Sequence, residues 1–145
     1  MAPAQVIEGG ATYRIVNVKS GTLVDLSQAD FTSIIGYTRN DGSNQHWTLN
    51  WAGNAWHIQS QSNGSFLGLG GSGQPVDGVP LVAKADPTPW HIWQDSVNPE
   101  AYRIYIPFTT QNWDLYADGD ATPGNRVTLW SAWSGVHQTW TFERV

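Results

Sequence analysis

Three stretches of this chain read alike, and that repetition limits what it can fold into more than any other feature. The first runs from Tyr13-Arg14-Ile15 to Gln45-His46-Trp47. The second runs from Trp56-His57-Ile58 to His91-Ile92-Trp93, and the third from Tyr102-Arg103-Ile104 to Gln138-Thr139-Trp140. The opening aromatics lie 43 and 46 residues apart, the closing tryptophans 46 and 47. Twelve residues after each opening aromatic stand Asp25, Gly68 and Asp114, and each is followed by a leucine, Leu26, Leu69 or Leu115. A period of this length marks supersecondary units that bury their apolar faces only against one another. The expected organisation is one domain over 1–145, with repeats at about 11–50, 55–96 and 101–144, long enough to bury a proper core.

The units read as all β. Tyr13 and Ile15, Tyr102, Ile104 and Ile106, Trp47 and Leu49, and Trp140 and Phe142 alternate with residues of the other face, as half-buried strands require. Turn clusters separate them: Lys19-Ser20-Gly21, Ser62-Asn63-Gly64, Gly70-Gly71-Ser72-Gly73 and Asp118-Gly119-Asp120. No stretch keeps a 3.6-residue apolar period, so no long helix is expected. Three repeats are too few for propeller blades, and a closed barrel leaves no edge strand unpaired.

Composition then excludes several partners. Only 13% of residues are charged, and the formal charge is −5. The seven bases, Arg14, Lys19, Arg39, Lys84, Arg103, Arg126 and Arg144, are scattered singly, so no phosphate-reading patch and no nucleic-acid partner is expected. Cysteine is absent, which removes disulfides and thiolate chemistry. The start, Met1-Ala2-Pro3-Ala4-Gln5-Val6, has neither a basic region nor an apolar run, and nothing else is long enough to enter a bilayer. A cytoplasmic protein without membrane insertion is the expectation. His46, His57, His91 and His137 form no ligand spacing, and Asp114, Asp118 and Asp120 lack the terminal glutamate of a calcium loop, so neither metal nor cofactor is expected. Nine tryptophans exceed what such a core needs, which leaves rings over for a ligand.

The Gln-x-Trp endings at Gln45-His46-Trp47 and Gln138-Thr139-Trp140, each following an Asp-Leu pair, resemble the ricin B-like lectins. The short cysteine-free chain is most similar to the fungal (mushroom) members. The resemblance spans about residues 11–144 and implies a β-trefoil, a six-stranded barrel capped by three hairpins with one sugar pocket per repeat. It implies binding of terminal galactose or N-acetylgalactosamine on glycans, a defensive role and subunits paired in a homodimer, with no catalysis. Carried over residue by residue, the first pocket comprises Asp25 as the acid, Tyr37 as the stacking ring, Asn44 and Gln45 as amides, and Gly36, whose missing side chain lets backbone approach. A second comprises Asp114, Trp130, His137 and Gln138, with Leu129 beside Trp130 lining or narrowing it. In the middle repeat, counting back from Trp93 puts Ala83 at the ring position and Trp90 at the amide position, with Gly68 replacing the acid, so that repeat is read as structural.

The chemistry fits those residue types. Galactose presents one face of C–H groups that can lie on an aromatic ring, while an ionised Asp accepts from adjacent hydroxyls and Asn pairs in either sense. A glycosidase needs two carboxylates across the scissile bond. Here one acid is expected per pocket, which favours binding over hydrolysis. The alternative is a β-trefoil protease inhibitor presenting the exposed Gly70–Pro80 loop.

Overall fold

Alternating apolar residues become twelve short strands, described here from a computed structural model covering residues 7–145. The leaderless reading of Met1–Val6 lies outside those residues. The strands are β1 (Thr12–Asn17), β2 (Leu23–Leu26), β3 (Ile34–Tyr37), β4 (Trp47–Trp51), β5 (Trp56–Ser60), β6 (Phe66–Leu69), β7 (Leu81–Lys84), β8 (His91–Gln94), β9 (Tyr102–Tyr105), β10 (Gln111–Leu115), β11 (Asn125–Ser131) and β12 (Trp140–Arg144). Helical structure among the described residues is confined to single turns, at Ser43–Gln45, Tyr116–Gly119 and Val136–Gln138.

Six strands form a closed ring. β1 pairs with β4, β4 with β5, β8 with β9, β9 with β12, and β12 returns to β1 through Tyr13↔Arg144 to Asn17↔Trp140. The remaining gap, between β5 and β8, is bridged by Trp56↔Trp90. The other six strands make three hairpins, β2–β3, β6–β7 and β10–β11, that cap one end. Each hairpin also touches the next, through Asn125↔Gly36, Ser33↔Val82 and Pro80↔Thr128. This is a β-trefoil, and closure leaves no ladder open at either side of the barrel.

The core explains the repeat. Tyr13, Ile15, Leu49, Ile58, Ile104 and Phe142 turn inward from barrel strands, while Val24, Leu67 and Trp113 close the cap from the hairpins. Burying each such side chain contributes on the order of 1.5–3 kcal/mol. Three indoles lock barrel to cap with the same bond. Trp47 Nε1 donates to the Val24 carbonyl at 2.9 Å, Trp90 Nε1 to Leu67 at 3.0 Å, and Trp140 Nε1 to Trp113 at 3.4 Å. The acceptors immediately precede Asp25, Gly68 and Asp114.

That bond corrects the second repeat. Its closing tryptophan is Trp90, fully buried, and not Trp93, which is 59% exposed on β8. With a second tryptophan three residues further on and no Gln-x-Trp to fix the count, spacing alone selected the wrong ring.

Candidate functional site

Asp25 sits on β2 between Val24 and Leu26, whose side chains belong to the core, so its own side chain is delivered to the outer rim of the hairpin. The single turn Ser43–Gln45 returns beneath it. Gln45 Nε2 donates to Asp25 Oδ2 at 2.9 Å and Asn44 Nδ2 to the same oxygen at 3.0 Å. Gln45 also ties the turn together, donating to the Thr38 carbonyl and accepting from the Asn40 amide. No donor among the described residues reaches Oδ1, so one carboxylate oxygen is anchored and the other has no protein donor. Tyr37 stands two residues beyond Ile35, the cross-strand partner of Asp25, with its ring 40% exposed. Asp25, Tyr37, Asn40 and Asn44 line one recess of about 190 Å³.

The third repeat builds the same device with other side chains. Gln138 Nε2 donates to Asp114 Oδ2 at 2.8 Å and to the Ser131 carbonyl, while its Oε1 accepts from the Trp133 amide. His137 takes the place of Asn44, its Nε2 lying 3.1 Å from the same Asp114 oxygen. Trp130, 39% exposed, matches Tyr37 in register and in exposure. Asp114, Tyr116, Asp118, Trp130, Trp133 and His137 line a pocket of about 490 Å³.

Burial pushes both Asp25 and Asp114 above the usual carboxylate range. Bonds from Gln45 and Asn44, and from Gln138 and His137, act in the opposite direction.

Four expectations need correction. Gly36 does not line the first recess. A Cβ there would come within 2.9 Å of both Leu115 and Thr22, so the glycine permits hairpin packing and not ligand approach. Leu129 neither lines nor narrows the third pocket; it is fully buried in the core opposite Trp113. In the middle repeat, strand register puts Lys84 and not Ala83 at the ring position, since Phe66↔Lys84 corresponds to Leu23↔Tyr37 and Asn112↔Trp130. Counting from Trp90 gives Pro87 and Thr88 at the Asn44 and Gln45 positions. The acid's place is occupied: a Cβ on Gly68 would meet Thr88 Oγ1 at 2.7 Å and Lys84 Cδ at 2.8 Å. Finally, the third pocket contains two acids. Asp118, at the helical turn, lies 3.3 Å from His137 Nδ1 and 3.4 Å from Lys19 Nζ. Ala117 and Asp118 reach these positions with φ of 56° and 57°, a left-handed backbone that non-glycine residues adopt only at a cost.

Sequence reasoning missed Asn40 and Tyr116, and weighed Asp118 only as a calcium ligand. Their signal was available in the offsets: Tyr116 and Asp118 follow Asp114 by the same steps as Ser27 and Ala29 follow Asp25. The Gly70–Pro80 loop, the alternative site, is tied down. Asp77 Oδ1 accepts from Gln111 Nε2 and from the Ser131 amide and hydroxyl, and Gly78 N donates to the Leu129 carbonyl.

Two anchored carboxylates, each beside an exposed ring on a capped threefold barrel, define a carbohydrate-binding β-trefoil of the ricin B type. The chain belongs to that family: the family model described as ricin-type beta-trefoil lectin domain-like matches residues 5–84 and 43–130. It is similar to the ricin B-like lectin of Macrolepiota procera, solved in complex with lactose, at 52% identity, 97% coverage of this chain, 100% of that one and a TM-score of 0.95. The Rhizoctonia solani agglutinin is 25% identical over 98% of this chain and 100% of that one, with a TM-score of 0.85. The earthworm R-type lectin C-half, solved with GalNAc, shares the fold at 17% identity and a TM-score of 0.70, over 93% of this chain and 99% of its own. A search of curated protein sequences returned no match.

Proposed function

We propose that this chain is a lectin for terminal galactose and N-acetylgalactosamine, acting by binding alone, with the first-repeat recess as its principal site and the third-repeat pocket as a second. The observation that carries this reading is the half-anchored carboxylate of Asp25 in one recess with the exposed Tyr37 ring. The free oxygen accepts from adjacent hydroxyls while the ring takes the sugar's apolar face. The lactose bound by the Macrolepiota procera relative supports the choice of sugar. The third pocket's second acid does not turn it into a hydrolytic pair in this reading, because Asp114 Oδ2 is held by Gln138 and His137 while Asp118 is paired with Lys19.

Shallow pockets whose ligands must surrender bonds to water bind weakly, so a monosaccharide dissociation constant of about 0.1–10 mM is expected. Two sites on one chain raise the effective strength on a multivalent surface. A glycan array tests the specificity: enrichment of glycans ending in galactose or N-acetylgalactosamine is expected, and an array without that preference overturns the proposal.

The titration of Asp25 gives a second test. Only the carboxylate accepts from both hydroxyls, so affinity falls as pH drops through the raised Asp25 value, by up to about tenfold per pH unit below it. Stability runs the other way. The folded state holds that proton more tightly than the unfolded chain, so from the raised value down to the ordinary carboxylate value this group's contribution to folding increases. Galactose titrations between pH 7 and pH 4 should therefore lose affinity while the chain remains folded by circular dichroism. Constant affinity across that range would count against Asp25 as the acceptor.

A further inference from the structure

The two pockets are built at matching positions but differ in reach. In the first, Asn40 folds back on its own loop: its Oδ1 accepts from the Gly42 amide at 2.8 Å, and its Nδ2 lies 3.5 Å from Asn44 Oδ1. In the third, Trp133 stands at the same position, seven residues before the closing tryptophan, and its amide makes the same bond to the glutamine. Its ring does not fold back. It packs edge-on against His137, with centroids 5.3 Å apart, and remains 51% exposed. A glycine makes this approach possible, since a Cβ on Gly135 would come within 2.8 Å of Trp133 and 2.5 Å of the His137 ring. Tyr116 stands where the first recess has Ser27, and the Arg126 guanidinium sits 3.6 Å from its ring centroid. Three aromatic rings therefore line the third pocket and one lines the first. The first recess, at about 190 Å³, is smaller than the cavities of roughly 300–1,000 Å³ that enclose larger ligands, and the third, at about 490 Å³, falls among them.

A single hexose covers one aromatic face. Seated on Trp130 with its hydroxyls on Asp114, it leaves the Trp133 ring in water. A following sugar would cover that ring and gain the apolar contact. The wall behind Trp130 does not yield, because Gly78 of the pinned Asp77 loop lies against it, with Trp130 Cζ3 3.7 Å from where its Cβ would stand. The charge of Asp118 is offset by Lys19 Nζ at 3.4 Å, and the added contact surface is the Trp133 ring, so it suits a neutral chain.

Resting on the galactoside reading above, we infer that the third pocket is an extended site for neutral glycans of at least two sugar rings, and that Trp133 is its specificity-determining residue. The first recess reads only the terminal sugar.

The test isolates each pocket and exchanges the deciding residue. Asp25→Ala leaves the third pocket, Asp114→Ala leaves the first, and calorimetric titration with galactose and with lactose gives a preference for each. The Asp25→Ala protein is expected to bind lactose at least about tenfold more tightly than galactose, and the Asp114→Ala protein to show a preference under about threefold. Adding Trp133→Asn to Asp25→Ala should bring the lactose preference, read as the ratio of lactose to galactose affinity in the same protein, down towards that of the first recess. Adding Asn40→Trp to Asp114→Ala should raise it; Gly42 stands in that loop where Gly135 stands in the other. An unchanged preference on Trp133→Asn overturns the inference, as does loss of all lactose binding on Asp25→Ala alone. Failure of the unaltered protein to bind either sugar overturns the galactoside reading itself, and is told apart by that control.

Discussion

Asp25→Ala is expected to remove galactose binding at the first recess and lower the lactose stoichiometry from two to one, with the fold retained. Hydrogen bonds to a charged group are worth about 1.5–3 kcal/mol each. Losing two of them against a millimolar monosaccharide moves binding by about two to four orders of magnitude, out of calorimetric range. The structural cost is small because the partners have second acceptors. Gln45 Nε2 keeps the Thr38 carbonyl and Asn44 Nδ2 keeps Leu26. Asp25→Asn sharpens the test. It preserves shape and one acceptor for Gln45, but sets an amide donor or a single acceptor where the ligand needs two, so galactose affinity should still fall at least tenfold. If Asp25→Asn bound galactose as the unaltered protein does, the carboxylate would not be the sugar acceptor, whatever the array had shown.

The second large effect concerns stability. Trp90→Ala is expected to destabilise the fold by about 3–5 kcal/mol, while Trp93→Ala should change it by about 0.5 kcal/mol or less. Trp90 is fully buried, donates to the Leu67 carbonyl, and packs edge-to-face against Trp113 at 5.4 Å. Its removal opens a cavity at the meeting point of barrel and cap and strands a carbonyl. Trp93 lies on the outside of β8, with one face against His91. Urea unfolding of the two variants would separate them, and equal midpoints would refute Trp90 as the closing ring of the middle repeat.

That pair also marks where sequence legibility ended. The first and third repeats could be aligned because Gln45 and Gln138 each precede the closing ring by two residues and follow an Asp-Leu. The middle repeat kept neither mark, and two tryptophans three residues apart satisfied the spacing nearly equally. What separates them is an indole N–H aimed at a carbonyl across the cap, a relation between strands that no local pattern carries. The acids were legible for the opposite reason. A charged residue between two core side chains must point away from them, and Asp25 and Asp114 do so. Gly36 misled because a glycine beside a ring suggests open space for a ligand, whereas here the missing side chain makes room for Leu115 of the neighbouring hairpin. The approach of Asp118 and Trp133 to His137 was not legible, because it depends on a left-handed turn and on Gly135, both set by tertiary packing.

The Asp77 clasp has a consequence for how such a chain can change over time. The middle repeat holds no acid, ring or amide at the three ligand positions, yet its long loop is the backing of its neighbour's Trp130. Drift in a unit that lacks those three groups is therefore still restrained by the pocket next door. Shortening Gly70–Pro80 would be felt as loosened recognition one lobe away, and a lobe excised to serve as a minimal sugar reader would leave its scaffolding behind.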